Sequence, residues 1–361
     1  MLVHICCSVD SHFFLQKLRE KFPNEKLIGF FYDPNIHPYS EYKLRLLDVK
    51  RSCEILDIPL IEGEYDFESW LEAVRGYENE PEKGRRCEVC FDRRLEVTAL
   101  KAKELNENKI TTTLLTSPKK SKEQLKKAGE DIEKRFGVEF VLVDFRKGGG
   151  TQEQFKIAKD AKLYHQNYCG CLYALTKQRE EQERVASELF SPISNQILPS
   201  CIEDKISLYE KRIEFEKNKI DYRIKREKFL NYRLLRAFVK ENKKTIPSYF
   251  LPYSFLKRSF TKGRIEDCID NIFYFNREEI KFIELDFFNT LLDSNYESVK
   301  ELIFNPPSFE KELEVRSKID IYPYSLSPII VLDKIDVTQS KYEIFCDSTL
   351  YRDVRENLVI L

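Results

Sequence analysis

The sequence predicts an α/β fold for the first half of the chain, a parallel sheet with helices on both faces. Strand-like and helix-like segments alternate from residue 2 to about residue 163, which is the pattern of such a sheet. The strand-like segments are short and apolar, as strands buried on both faces require. The first of them, Leu-Val-His-Ile at residues 2–5, runs into a loop and then a helical pattern. An open α/β sheet begins in this way and binds its ligands outside the carboxyl ends of the strands.

Each element is predicted from its own residue pattern. Runs of apolar, β-branched and aromatic residues, such as Lys-Leu-Ile-Gly-Phe-Phe-Tyr, indicate strands. The predicted strands are residues 2–5, 26–32, 58–61, 109–115 and 139–143. Apolar residues at helical spacing, such as Tyr42, Leu46 and Val49, indicate helices. The predicted helices after the first loop are residues 40–56, 67–74, 87–105, 121–136 and 151–163.

Six of the ten cysteines form three close pairs, and an acid follows the first pair. Disulfides are rare in a reducing compartment, so paired thiols indicate metal binding or redox chemistry. A structural zinc site uses four ligands, whereas six thiols and a carboxylate exceed one tetrahedral site. All-thiolate ligation also suits an iron–sulfur cluster, and the surplus suggests a second metal with an open position. The candidate ligands are Cys6, Cys7, Asp10, Cys87, Cys90, Cys169 and Cys171.

Composition restricts the partners of the protein. The formal net charge is −1, so any nucleic-acid surface must be a local patch. The N-terminus lacks the basic segment and apolar stretch of a signal peptide, and no apolar run approaches the roughly 20 residues of a membrane helix. We therefore expect a cytoplasmic protein without a membrane partner.

Loops that follow the predicted strands supply candidate substrate contacts. They lie at the same edge of the sheet as the first cysteine pair, where a substrate of an α/β protein binds. Cationic side chains on or beside these loops suit a phosphate-binding rim. The candidate substrate-binding residues are Asn35, His37, Tyr39, Thr116, Ser117, Lys119, Arg146, Arg85 and Arg86.

We predict a domain boundary after residue 180, with a metal-binding catalytic domain at 1–180 and a C-terminal extension at 181–361. Residues 191–200 contain two prolines and are interpreted as a connection. Residues 203–244 lack glycine and proline, and we predict a long helical region with 14 Lys and Arg against 8 Asp and Glu. The remainder is predicted to be mixed. This extension has either an RNA-binding or a structural role, and cations interleaved with aromatics at 222–233 suit both.

Residues 1 to about 175 resemble the QueH-type epoxyqueuosine reductases. The matching segments occur in family order and include His4-Ile-Cys-Cys7, Phe31-Tyr-Asp-Pro-Asn-Ile-His-Pro38, Arg86-Cys-Glu-Val-Cys-Phe91, Ser117-Pro-Lys119, Asp144-Phe-Arg146 and Tyr168-Cys-Gly-Cys171. Two positions depart from the family pattern, since the loop after Cys7 lacks a proline and Asp33 stands where Asn is usual. The resemblance does not extend to the C-terminal extension.

The resemblance implies a Rossmann-like fold of the adenine-nucleotide-hydrolase type without its ATP motif. It also implies reduction of epoxyqueuosine to queuosine at the wobble position of a tRNA with a GUN anticodon, using an unidentified electron donor. The implied cofactors are a [4Fe–4S] cluster and a neighbouring mononuclear iron. An iron with an open position can polarise the epoxide oxygen, and a hard carboxylate suits that iron. We therefore predict that Cys6, Cys7 and Asp10 are catalytic.

Other functions fit parts of the pattern. A thiol oxidoreductase could use Cys87 and Cys90 without a metal, and a zinc-stabilised RNA-binding module could use the same thiols for structure. A tRNA thiolase that uses ATP would need a Ser-Gly-Gly-x-Asp-Ser loop, which the sequence lacks. Metal and sulfide content separates the first two from the cluster-containing reductase.

Overall fold

The computed structural model describes residues 1–190, 194–322, 324–338 and 341–361. The chain divides into two compact units, and the predicted boundary after residue 180 falls inside the first of them. Unit 1 comprises Met1–Glu188, Lys205–Ile224 and Leu358–Leu361, and unit 2 comprises Leu189–Asp204 and Lys225–Asn357. The predicted connection at 191–200 lies partly outside the described residues, at positions 191–193.

The described residues of unit 1 form the predicted parallel sheet of five strands. These are β1 (Leu2–Ile5), β2 (Ile28–Phe31), β3 (Leu60–Glu62), β4 (Lys109–Thr112) and β5 (Glu139–Phe140). The order β3-β2-β1-β4-β5 and the parallel register confirm the α/β fold class. The strand order reverses between β1 and β4, and the crevice at such a switch point is where open α/β sheets bind ligands.

Helices alternate with these strands, within a few residues of the predicted positions. They are α1 (Ser8–Lys21), α2 (Tyr39–Ile55), α3 (Phe67–Ala73), α4 (Arg85–Glu104), α5 (Lys122–Phe136), α6 (Gly150–Asp160) and α7 (Leu172–Glu181). The limits of α5 follow from its caps. Ser121 accepts a hydrogen bond from the Gln124 N–H, and Gly137 ends the helix in the left-handed conformation at φ 65°.

The core of unit 1 lies around β1, all four residues of which are buried. Phe30 and Phe31 of β2 and Leu95 of α4 belong to the same apolar cluster. Each such side chain contributes about 1.5–3 kcal/mol when it is buried completely. The core fixes the positions of the strand ends, and the loops after β1 and β4 are therefore held beside each other.

Helix α8 (Ile202–Lys217) lies beyond the predicted catalytic domain, yet most of it belongs to unit 1. Its Arg212 is completely buried and donates to Asp48 Oδ1 at 2.6 Å and to the Lys162 carbonyl at 2.7 Å. The other oxygen of Asp48 accepts hydrogen bonds from the Ser8 hydroxyl and from the Tyr164 N–H. Arg212 is thus connected through Asp48 to the segment that carries Cys7.

The described part of unit 2 contains mixed and antiparallel sheets with three helices. The strands are β6 (Tyr222–Glu241), β7 (Lys244–Ile246), β8 (Tyr249–Phe250), β9 (Phe260–Gly263), β10 (Ile265–Ile269), β11 (Ile272–Phe275), β12 (Lys281–Glu284), β13 (Ile329–Leu332) and β14 (Tyr342–Ile360). The helices are α9 (Leu285–Leu292), α10 (Val299–Phe304) and α11 (Phe309–Ile319). The sheet orders are β10-β11-β12-β13-β8 and β7-β6-β14-β9.

The predicted long helix at 203–244 is wrong after Lys217, where α8 ends and the strand β6 follows. The region 203–244 is therefore helical only in its first part, and the extension contains more strand than predicted. Lack of glycine and proline permits a helix but does not exclude a strand. The β-branched and aromatic residues of β6, such as Ile224, Tyr232 and Val239, favour an extended chain. None of the helices in the described residues combines the length and apolar character that crossing a membrane requires.

Candidate metal centre and substrate cleft

The loop at the carboxyl end of β1 brings two thiols and a carboxylate together. Cys6, Cys7 and Asp10 are buried, and their ligand atoms all lie within 4.8 Å of one another. Cys6 Sγ lies 3.8 Å from Cys7 Sγ and 3.7 Å from Asp10 Oδ2. Because β1 ends at Ile5 and α1 begins at Ser8, Asp10 lies in the first helical turn beside the strand end. Three donors around one point resemble a metal site that keeps an open position.

Neighbouring side chains fix the orientation of this group. Gln154 of α6 donates from Nε2 to Asp10 Oδ1 at 2.7 Å, which leaves Oδ2 directed towards Cys6. The Cys6 N–H donates to Thr113 Oγ1 at 3.3 Å. Burial raises the pKa of the Asp10 carboxyl. A hydrogen bond with Cys6 and then burial raise the pKa of the Cys7 thiol well above its ordinary value.

Four other cysteines lie around a second cavity, which is also lined by Trp70 and Asn35. They are Cys87, Cys90, Cys169 and Cys171. The first two lie three residues apart at the start of α4 and therefore share one helix face. The other two flank Gly170, whose φ of 105° and close approach to Ile36 leave no room for a side chain. A larger residue at position 170 would be strained in this backbone conformation and would crowd Ile36.

Lys120 distinguishes Cys169 from the other three thiols of this cavity. Burial raises the pKa of Cys87 and Cys90, and it raises the pKa of Cys171 to about 12. Burial also opposes ionisation of Cys169, but the Lys120 ammonium lies 2.9 Å from its Sγ and lowers the pKa of that thiol. The cavity therefore contains a cation that compensates the charge of its thiolates.

Arg94 of α4 lies between the two groups of ligands. Its guanidinium forms a buried ion pair with Asp33, so the aspartate that departs from the family pattern has a cationic partner. Burial raises the pKa of the Asp33 carboxyl to about 6, although the charge of Arg94 opposes this rise.

A cleft adjoins the cysteine cavity, since Cys169, Lys120 and Arg94 line both of them. Cys6 and Asp10 also line this cleft. The structure thus places a group of four cysteines next to a group of two cysteines and an aspartate. The cleft contacts one group through Cys169 and the other through Cys6 and Asp10, and its lining residues Lys119 and Phe155 are exposed to solvent.

Several predicted substrate residues lie at this site. Ser117 and Lys119 line the cleft, and Asn35 lines the cysteine cavity. Thr116 is buried beside them in the same loop as Ser117. Among the described residues, Asn35 Oδ1 and Thr116 Oγ1 find no hydrogen-bond partner. Buried polar atoms without partners are uncommon, and at a site they indicate where a ligand can bind.

His37 lies on the loop after β2 and Tyr39 is the first residue of α2. Neither residue lines the cleft or the cysteine cavity. The His37 ring stacks on Phe67 with 4.8 Å between ring centres. Tyr39 is about half exposed and packs against Tyr65. Both side chains therefore present aromatic surface beside the site without contacting its ligand groups.

The three predicted arginines have different surroundings. Arg86 is buried and donates to the carbonyl oxygens of Tyr77, Glu78 and Glu80. Its guanidinium fixes the loop before α4 and its side chain also lines the cysteine cavity, so its contact with a phosphate stays a prediction. Arg85 is exposed and remains available to a substrate.

Arg146 belongs to a separate basic cleft that shares Lys120 with the site. It donates to the carbonyls of Ser117 and Lys120 at 3.1 Å each and so fixes the loop after β4. Five cations and two acids line this cleft, namely Lys83, Lys120, Lys122, Arg146, Lys147, Glu123 and Asp144. The excess of positive charge suits phosphate groups.

A sequence profile of the family described as epoxyqueuosine reductase QueH matches residues 1–177. A protein of this name from Helicobacter pylori is 43% identical over 353 residues, which cover 92% of this chain and 94% of that protein. The chain belongs to the epoxyqueuosine reductase QueH family. Its membership confirms the resemblance found in the first half.

Relatives within the family differ in length. The Thermotoga maritima epoxyqueuosine reductase QueH is 36% identical over 189 residues, which cover 52% of this chain and 95% of that protein. The Helicobacter pylori relative instead matches both halves of this chain, so the C-terminal extension is shared with it. Among solved structures, a predicted tRNA methyltransferase subunit from Methanocaldococcus jannaschii has a TM-score of 0.34 and 14% identity, covering 53% of this chain and 92% of that one.

Some contacts of this site were not predicted from the sequence. Gln154 lies on α6, far from any cysteine motif, and no local pattern indicates that it contacts Asp10. Thr113 follows β4 directly, and only the pairing of β4 with β1 places it beside Cys6. Lys120 belongs to the cations that we predicted beside the cysteines, but its contact with Cys169 was not predicted.

Proposed function

We propose that this chain reduces epoxyqueuosine to queuosine in a cytoplasmic tRNA with a GUN anticodon. Removing the epoxide oxygen as water leaves a carbon–carbon double bond and requires two electrons and two protons. The observation that best supports the proposal is the pairing of a four-cysteine group with a Cys6–Cys7–Asp10 group along one cleft. An external electron donor supplies the electrons.

The donor sets fit the two metal groups that the family resemblance implies. Four thiols around one small cavity match the ligands of a [4Fe–4S] cluster, and Lys120 compensates part of their negative charge. Two thiols and a carboxylate match a single iron with an open position. Cys87, Cys90, Cys169 and Cys171 would hold the cluster, and Cys6, Cys7 and Asp10 would hold the iron. When bound, these groups supply single electrons and a Lewis acid for the epoxide oxygen.

Side chains in and beside the cleft bind and orient the modified base. Asn35 and Thr116 each have an unpaired oxygen for its polar groups. Gln154 holds Asp10 in place through Oδ1, so that Oδ2 keeps one orientation. Lys120 Nζ is buried at the cleft wall and carries protons close to the place where the leaving oxygen must be protonated. His37 and Tyr39 support the neighbouring nucleotides with their rings.

Anaerobic purification followed by an assay of nucleosides tests the proposed function. The chain is incubated with tRNA that carries epoxyqueuosine and with dithionite, and the tRNA is digested and analysed by mass spectrometry. We expect queuosine, together with iron and acid-labile sulfide in the purified protein. Zinc without sulfide would instead identify a zinc-stabilised RNA-binding module, and turnover by a metal-free protein would identify a thiol oxidoreductase.

The basic cleft around Arg146 gives a prediction about tRNA binding. Lys147 is largely exposed in this cleft. Removing one lysine–phosphate contact should reduce, by about 1, the magnitude of the slope of the logarithm of the binding constant against the logarithm of the salt concentration. A Lys147→Ala variant is therefore expected to bind a tRNA transcript with a GUN anticodon several-fold more weakly at low salt. Fluorescence anisotropy at several salt concentrations measures both quantities.

Lys26→Ala is the matched control, because Lys26 is exposed at the opposite edge of the sheet, before β2. It should leave the affinity and the salt slope unchanged. Equal slopes for the wild-type protein and the Lys147→Ala variant would show that this lysine does not contact a phosphate.

A further inference from the structure

The sheet β7-β6-β14-β9 has one buried face and one exposed face. Val239, Tyr342, Ile344 and Cys346 belong to an apolar core on the buried face. Because successive side chains of a strand point to opposite faces, Phe238 and Phe345 lie on the other face. We call the surface formed by Arg236, Phe238, Lys240, Phe260, Lys262 and Phe345 the aromatic–basic face.

Three phenylalanines form a continuous group on this face. The rings of Phe238 and Phe345 stack with 4.4 Å between their centres and 19° between their planes. Phe260 lies opposite Phe345 in the strand register, and their ring centres are 4.7 Å apart. Phe260 is 45% exposed. The group is thus accessible to solvent at Phe260.

Cations surround the three rings. The Arg236 guanidinium lies 5.2 Å from the centre of Phe238, and Lys240 Nζ lies 5.7 Å and 5.6 Å from the centres of Phe238 and Phe345. Lys262 is exposed beside Phe260 and pairs with Glu343 at 2.9 Å. The contributing segments 236–246, 257–263 and 341–347 contain eight Lys and Arg but three Asp and Glu. This excess contrasts with the net charge of −1 of the whole chain.

We propose that the aromatic–basic face binds unpaired nucleotides of RNA. Proteins recognise single-stranded RNA by stacking bases on aromatic side chains while cations contact the phosphates. An exposed apolar patch alone would suit a protein partner equally well, but the local excess of five positive charges favours a polyanion. The identification of this RNA as the tRNA substrate rests on the proposed function. The binding of unpaired RNA by this face does not rest on it.

The aromatic–basic face differs from residues 222–233, which the sequence indicated as a candidate RNA-binding segment. Tyr222 and Tyr232 are the tyrosines interleaved with cations at 222–233, and both are buried. Tyr222 packs against Lys162 within unit 1, and Tyr232 donates to the Ser254 carbonyl within unit 2. Their rings are therefore not available for stacking on a base.

Affinity measurements on the full-length protein test the proposal. The probes are a tRNA transcript with a GUN anticodon and a single-stranded RNA dodecamer of mixed sequence. Stacking contributes about 1–3 kcal/mol per base, so Phe260→Ala should weaken the binding of both probes by about 10-fold. Arg236→Glu should weaken binding more strongly at low salt than at high salt. Phe260→Tyr, which keeps a stacking ring, should bind as the wild type does.

Matched controls lie in unit 2 outside this sheet. Phe304 is an exposed phenylalanine at the end of α10, and Lys300 is exposed in the same helix. Phe304→Ala and Lys300→Glu should leave both affinities unchanged. Turnover of Phe260→Ala at saturating tRNA should equal that of the wild type, and its iron content should not change.

Two results would overturn the proposal. One is an unchanged affinity of Phe260→Ala and Arg236→Glu for both probes. The other is a dimeric wild-type protein in sedimentation that becomes monomeric in Phe260→Ala while RNA binding persists, which would identify a contact between two copies. A wild-type protein that binds both probes through this face but never forms queuosine would disprove the reductase function and leave the RNA-binding face intact.

Discussion

Substitution of alanine for both Cys169 and Cys171 is expected to remove acid-labile sulfide from the purified protein and to lower epoxyqueuosine turnover to background. The two thiols are half of the four-cysteine group, and a cluster cannot be retained by the remaining two thiolates of one helix. The brown colour that a [4Fe–4S] cluster would give is expected to be absent from this variant. Iron and sulfide quantitation under anaerobic conditions measures the loss.

A second set of variants separates the two proposed metal groups. Asp10→Ala and Cys6→Ala remove ligands of the Cys6–Cys7–Asp10 group, whose atoms lie within 4.8 Å of one another. These variants are expected to keep the sulfide of the cluster and to lose about one of roughly five irons, together with activity. The Fe:S ratio therefore falls in the second set, whereas both iron and sulfide fall in the first.

Cys268→Ala is the matched control for all of these variants, because Cys268 is an exposed cysteine of unit 2. It should keep full iron, sulfide and activity. Full sulfide in the Cys169→Ala, Cys171→Ala variant would refute the assignment of the cluster. Equal loss of sulfide in both sets would refute the division of the ligands between two groups.

The proposed ligands could be chosen from the sequence because their chemistry is local. Cys87 and Cys90 share a helix face through their spacing, and Cys6 and Cys7 follow a recognisable buried strand. Parallel strands bring their carboxyl ends to one edge, so the convergence of these segments follows from the fold class. The grouping into four and three depends on exact distances, which no spacing rule provides.

Residues that act through long-range contacts could not be predicted. Gln154 reaches Asp10 across 144 positions of the chain, and neither residue lies in a pattern that indicates the other. The assignment of 218–244 to a helix was wrong for a different reason. A charged segment with spaced apolar residues fits the period of a helix and also the period of a strand. Packing within the sheet favours the strand here.

Replacement of Arg212 by methionine is expected to lower the free energy of unfolding of unit 1 by about 3–5 kcal/mol. Methionine fills much of the same space but leaves Asp48 without its cation in a site where both side chains are fully buried. A buried carboxylate that loses its partner must be protonated or draw in water, and either change disturbs its bonds to Ser8 and Tyr164. Because Ser8 follows Cys7 directly, we also expect less iron per chain.

The midpoint of urea unfolding and the iron content of Arg212→Met measure these two effects. Lys211→Met changes the preceding, exposed residue of α8 and should alter stability by no more than about 0.5 kcal/mol. An Arg212→Met, Asp48→Asn double variant should recover part of the loss, since it removes the unpaired charge. If the Arg212→Met variant unfolds at the same urea concentration as the wild type, α8 packs on unit 1 without stabilising it through Arg212. If the expected loss is observed, a chain shortened to residue 180 will also be unstable, because it lacks the cation that Asp48 requires.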